Sequence, residues 1–291
     1  MYLRKFSLAF FVGFLMFGFL DTNLAVAAIT ETSSPFEVNN FRNVTVGGGS
    51  IIPLVKFRLT GDGSTTLTKV GVILRASSTM DTRSQVSSIG VYRESNNKAD
   101  FQYGEDTLIT GAITANPATS TLIVLQPTSW YAVPAMSTEF YIVASTSANS
   151  LLINGNSFDV QLQSQYASTS AGGIGTALDP QRKVILQQSS PLKIGEIKLG
   201  DSTNTANEFI ELYNPTEVAV DLSVAPLNLY LFNTAGGAQN KTLTYFKKVI
   251  PKNGYFLLGS ATNYSGSTPL DANYDTITAG QLSLGVDAGL A

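Results

Sequence analysis

The chain has 291 residues, 44% of them apolar, with 25 Gly, 11 Pro and 13% charged side chains, about half the usual share. Net charge is −3, and there is no cysteine or histidine, which excludes thiol nucleophiles, disulfides, Ser-His-Asp and Cys-His centres, and metal sites built on those ligands. Carboxylates, amides, hydroxyls and a few cations remain for chemistry, and the apolar fraction suffices for one or two packed cores.

Arg4 and Lys5 open the chain and precede a largely apolar run of 15 residues, Phe6–Leu20. Asp21-Thr22-Asn23 then leads to Ala25-Val26-Ala27, an A-x-A site cut before Ala28. This order predicts a secretory signal peptide over 1–27. The run is shorter than the roughly 20 residues of a spanning helix. Removing the segment leaves 16 basic and 20 acidic residues, a net charge of −4. No second apolar span follows, so no membrane span is expected after cleavage. The adjacent basic pairs Arg182-Lys183 and Lys247-Lys248 do not form the patch that nucleic-acid binding needs. The expected location is secreted or cell surface. An exported chain without cysteine must rely on core burial, which suits a large β-sandwich.

Ala28–Pro35 reads as a polar lead-in. From Phe36 the apolar spacing has period two, the mark of strands. Val55, Phe57 and Leu59 alternate with Lys56 and Arg58, and Val70, Val72 and Leu74 with Lys69, Gly71 and Ile73. Ile89 and Val91 follow, then Leu122 and Val124, then Phe140 and Ile142 opposite Tyr141 and Val143. Phe158, Val160 and Leu162 alternate cleanly with Asp159, Gln161 and Gln163, and Val184-Ile185-Leu186 closes the series. Turn clusters such as Gly47-Gly48-Gly49, Gly61-Asp62-Gly63 and Asn154-Gly155-Asn156 separate these runs. The pattern predicts an antiparallel sandwich over 36–188.

Gln187–Pro191 is a polar break, and 189–191 is taken as a linker. Beyond it the strand pattern restarts at Leu192–Leu199, Glu208–Tyr213, Val218–Leu222, Leu227–Phe232, Leu243–Phe246 and Tyr255–Leu258. The fold class expected is therefore all-β, with two immunoglobulin-like antiparallel sandwiches in tandem, 36–188 and 192–291.

Ile194-Gly195-Glu196-Ile197, then Asn207-Glu208-Phe209-Ile210-Glu211-Leu212-Tyr213-Asn214-Pro215, then Val220-Asp221-Leu222-Ser223, resemble the lamin-tail domain. Ile250-Pro251-Lys252-Asn253-Gly254-Tyr255-Phe256-Leu257-Leu258 is similar to a further strand of that family. The resemblance covers about the last third of the chain. It implies a compact immunoglobulin-like sandwich in a secreted or envelope protein, with an accessory role. The family's Gly-Trp pair reads Val224-Ala225 here, and the family continues into closing strands, so the sandwich is expected to be incomplete at Ala291. The first sandwich more loosely resembles immunoglobulin-like modules of bacterial surface proteins, through Leu67–Val70, Ile89–Arg93, Asp106–Ile109 and Phe140–Val143.

One loop, 94–106, carries enough oxygens to suggest Ca²⁺: Glu94, Asn96, Asp100, Glu105 and Asp106. Against a twelve-residue Ca²⁺ loop, Glu94, Asn96 and Glu105 take positions 1, 3 and 12. Lys98 at position 5, Ala99 in place of Gly at 6, and flanking strands favour a plain polar hairpin loop instead. No other cofactor is expected. Glu208 and Glu211 point to opposite faces of one strand, whereas Glu196 is placed to neighbour Glu211 across strands. Such a carboxylate pair is the one route left to glycosidase-like chemistry. Its membership of the lamin-tail motif favours a structural role. Trp130 and Tyr131 offer an aromatic contact for sugar or peptide, or core packing, with core packing the favoured use of the chain's single Trp. The resulting expectation is a non-catalytic, exported binding or structural protein with a surface, polysaccharide or protein partner. The alternative is the accessory front part of a longer secreted hydrolase or nuclease.

Overall fold

The computed structural model describes residues 28–33, 43–98, 100–111, 122–163, 168–170, 172–173, 183–198, 209–232, 238–261, 264–274 and 289–290. The predicted signal peptide, Glu208 and most of the stretch after Tyr274 lie outside them. The fold is all-β, and the helical content of the described residues is a single turn, Thr82–Gln85, plus a 3₁₀ turn, Asn149–Leu151.

One antiparallel sheet runs in the order Val249–Ile250, Ala219–Asp221, Ser50–Thr60, Thr138–Thr146, Val86–Arg93 and Thr107–Leu108. A second is centred on Thr66–Ala76 and Ser157–Leu162, and ends in a parallel pairing of Lys183–Leu186 with Asn43–Val46. A third carries Lys193–Lys198, Phe209–Tyr213 and Tyr255–Gly259 side by side, followed by Ala272–Asn273 and Thr244–Tyr245. In a fourth, Leu229–Phe232 lies between Ala238–Lys241 and Gly289–Leu290.

The period-two runs place their apolar sides as their spacing requires. Val55, Phe57 and Leu59 of the first sheet, and Val70, Val72, Leu74, Phe158, Val160 and Leu162 of the second, are buried in one cluster. Phe57 stacks on Phe140 with ring centroids 5.4 Å apart. Complete burial of side chains this size stabilises by about 2–3 kcal/mol each. Pro53, which has no N–H to give a ladder, coincides with the register shift between Pro53 and Val55.

Two stretches depart from the expected pattern, and one strand buries both of its faces. In Leu122–Leu125 the buried residues are Ile123 and Leu125, not Leu122 and Val124. All four positions are apolar, so alternation carries no phase there. In Thr138–Thr146, Phe140, Ile142 and Ala144 join the main cluster, while Tyr141 and Val143 are equally buried on the opposite face. The stretch expected as a polar lead-in supplies a strand, Ala28–Ser33, pairing antiparallel with Lys56–Thr60. Its Ile29, Thr30 and Thr32 are β-branched, which suits a pleated edge.

A second cluster gathers Ile210, Leu212, Phe256, Leu258 and Tyr274 with Val220 and Ile250. The chain beyond Pro191 is also hydrogen-bonded into the first sheet: Ala219 pairs with Ile51 and Val220 with Ser50. Val218 reaches the first cluster, whereas Val220 reaches the second. This ladder forms the junction against which the loop 94–106 packs.

Candidate functional site

The loop 94–106 leaves the strand Val86–Arg93 and returns as Thr107–Leu108. Asp106 ties its ends together, Oδ1 accepting from Ser95 N at 3.1 Å and Oδ2 from Gln102 N at 2.8 Å. Asn97 (φ 58°) and Gly104 (φ 88°) supply the left-handed bends. Between them Phe101, 8% exposed, turns inward against the back of the first sheet. Its ring lies 5.2 Å from Tyr92 and 5.5 Å from Tyr141. With Ile51 and Val143 these residues form a third cluster. A polar-looking loop is thus the cover for one sheet face, which explains why the strand beneath it is apolar on both sides.

The five proposed Ca²⁺ ligands all fall on this loop, and each has at least one oxygen that accepts from an N–H donor. Glu94 Oε1 accepts from Asn96 N at 2.7 Å and Lys98 N at 3.4 Å. Glu94 Oε2 is sealed from solvent without a hydrogen-bond partner among the described residues. Asn96 Oδ1 accepts from Lys98 N at 3.0 Å, and Asn96 Nδ2 donates to Glu105 Oε2 at 2.6 Å. Lys98 Nζ also donates to Glu105 Oε2, at 2.7 Å. Its ammonium holds Glu105 below the usual carboxylate range. Asp100 Oδ2 accepts from Lys252 Nζ at 2.6 Å. Burial pushes Asp106 up against its two N–H bonds, and the charges of Glu94 and Glu105 add to the rise. Among the described residues no three or more Asp or Glu side chains are grouped so as to hold a metal ion.

Behind the loop, Glu139 pairs with Lys56 Nζ and Arg58 Nη2, each at 2.6 Å. Burial raises its pKa, but the two cations outweigh burial and the net displacement is downward. A carboxylate held low contributes stability above the unfolded glutamate pKa of about 4.3, and that stability is lost as pH falls through the folded value. Glu139→Gln is therefore expected to cost about 1–2 kcal/mol at neutral pH and less at pH ~3, as read from urea unfolding across pH. An equal cost at both pH values would contradict this assignment.

Where the loop meets the junction ladder it borders a cleft of about 290 Å³. Ile51, Phe101 and Val218, all buried, lie at its floor. Asp100, Tyr103, Glu105, Glu217 and Lys252 stand higher on its walls. The Asp100–Lys252 ion pair spans the rim from the loop to the turn before Tyr255–Gly259. Tyr92 and Tyr103 have raised pKa values, Tyr92 reaching about 12, first through burial and also through the charge of Asp221.

Trp130 corrects the core-packing expectation. It is 87% exposed, and Met136, six residues on, is 80% exposed. The segment that carries it is nevertheless firmly mounted. Tyr131 pairs with Leu67 and Ala132 with Thr66, Val133 is fully buried, and Val133 N donates to Thr65 O at 2.7 Å. Tyr131 meets Phe140 edge-on at 5.8 Å, so of the two neighbouring aromatics it is Tyr131 that packs inward. Composition gave no sign of which way each ring would point.

Glu196 and Glu211 are direct cross-strand partners, as the spacing suggested. Glu196 sits on Lys193–Lys198, a strand whose six residues are all exposed, and Glu211 sits half-buried on the neighbouring strand Phe209–Tyr213.

No family model matches the chain, and no curated protein matches it in sequence. The likeness of the last third to lamin-tail domains therefore rests on the motifs quoted above.

Proposed function

We propose that this chain is an exported, non-catalytic β protein that binds an extracellular or cell-surface polysaccharide through Trp130. The carrying observation is the exposure of the only tryptophan on a segment whose backbone is pinned to the second sheet. An exposed ring beside a fixed backbone presents a flat apolar face to a sugar ring. The signal-like first 27 residues and the low-charge, amide- and hydroxyl-rich composition support an extracellular setting. The lamin-tail motifs support an accessory rather than catalytic role.

Co-sedimentation with purified envelope polysaccharide tests it. Trp130→Ala is expected to leave the melting temperature within about a degree, since the ring is exposed, and to weaken binding by about tenfold or more. Unchanged retention in the variant would sink the proposal, and retention on envelope protein but not polysaccharide would replace the partner class.

A further inference from the structure

The cleft at the junction has a composition that selects its ligand, independently of Trp130. Asp100, Glu105 and Glu217 line it against one cation, Lys252, leaving a net charge of −2. Asp100 is neutralised by Lys252 and Glu105 by Lys98. Glu217 has no hydrogen bond or ion pair among the described residues, so its carboxylate is available at the wall. Tyr103 presents a 37% exposed ring, 6.3 Å from Tyr92 and backed by the Tyr92–Phe101 contact. Two lining residues, Pro53 and Pro251, have no N–H, which removes donors that an anion would need.

We propose that this cleft binds the guanidinium side chain of an arginine carried by a partner polypeptide. A planar cation stacks on the Tyr103 ring while donating to Glu217, and its methylene stem covers the apolar floor formed by Ile51 and Val218. Guanidinium suits the site better than ammonium because it is less strongly hydrated and matches both a ring face and a carboxylate. The volume of about 290 Å³ lies at the small end of ligand pockets, which fits one side chain rather than a larger molecule. The Asp100–Lys252 pair at the rim joins the two walls, so occupancy touches both sides of the junction ladder.

The test is a titration of the full chain with acetyl-Leu-Arg-Leu-amide, its citrulline analogue and its glutamate analogue, followed by amide chemical shifts and calorimetry. The arginine peptide is expected to shift resonances of 100–105 and 217–219 and to bind about tenfold tighter than citrulline, an advantage that shrinks with added salt. Glu217→Gln is expected to weaken the arginine peptide about fivefold while leaving the citrulline peptide and the melting temperature unchanged. Equal binding of arginine and citrulline at the cleft would overturn the cationic preference. Absence of cleft shifts with all three peptides would overturn the site itself.

Discussion

Gly49→Val is expected to lower stability by about 3 kcal/mol or more, measured by urea unfolding. Gly49 has φ +69°, a conformation that β-branched residues avoid. A Cβ at this position would stand 2.5 Å from the Asp221 carbonyl oxygen and 3.1 Å from Ala225 Cβ. The same glycine accepts a hydrogen bond from Asp221 N at 2.7 Å, and its own N–H donates to Ser147 O at 3.1 Å. The substitution therefore adds backbone strain and pushes apart the turn that holds Ala219–Asp221 against Ser50–Thr60. Gly63 separates the two effects, because its φ is also positive (+79°) yet nothing lies within 4 Å of its Cβ position. Gly63→Val should cost only the conformational part, about 1–2 kcal/mol. Equal losses at both sites would mean that the approach of Asp221 is not a constraint.

Asn214→Asp is expected to be comparably severe, by about 3–5 kcal/mol at neutral pH. Asn214 is fully buried and its amide is completely used. Nδ2 donates to Val218 O and Pro251 O, both at 2.9 Å, while Oδ1 accepts from Thr216 N at 3.1 Å and Thr216 Oγ1 at 2.7 Å. One side chain thus ties the turn after Phe209–Tyr213 to the entry of Tyr255–Gly259. A carboxylate would aim a charged acceptor at the Val218 and Pro251 carbonyls and remove the amide donor from each, leaving Thr216 Oγ1 on the first at 2.9 Å and Gly254 N on the second at 3.1 Å. Burial would raise the pKa of the introduced acid, so the loss should shrink as pH falls and protonation restores one donor. Thr216→Val, which removes one of these bonds, should cost about 1 kcal/mol. A loss below that level for Asn214→Asp would contradict the role given to this amide.

The sheets were legible where polar and apolar residues alternate. The runs at 55–59, 70–74 and 158–162 declare both their strands and their buried faces. Legibility failed where alternation carries no information, as in Leu122–Leu125, or where the deciding neighbour is distant. Nothing near Phe140–Ala144 in sequence says that Phe101 covers its second face, because Phe101 stands alone in a polar stretch. The pairing of Ala219–Asp221 with residues 50 and 51 is likewise long-range. At the candidate sites, the Glu196–Glu211 neighbourhood followed from strand adjacency. In 94–106 the oxygen-rich composition was legible, but not that Lys98, Lys252 and backbone N–H groups engage several of those oxygens, because Lys252 is distant in sequence and the N–H contacts depend on the loop's bends. Trp130 was misplaced by a preference that holds for tryptophan on average but not where a pinned segment turns its ring outward.

Surface binding through Trp130 is directly measurable. The chain has a single tryptophan, so its emission reports that position alone. Titration of the full chain with purified envelope polysaccharide, following the emission maximum and acrylamide quenching, is the decisive measurement. Red-shifted, readily quenched emission is expected in the free protein, moving to the blue and becoming protected as polysaccharide is added, with saturation. Emission and quenching that stay unchanged while the polysaccharide is bound, or at every concentration reached, would contradict binding through Trp130.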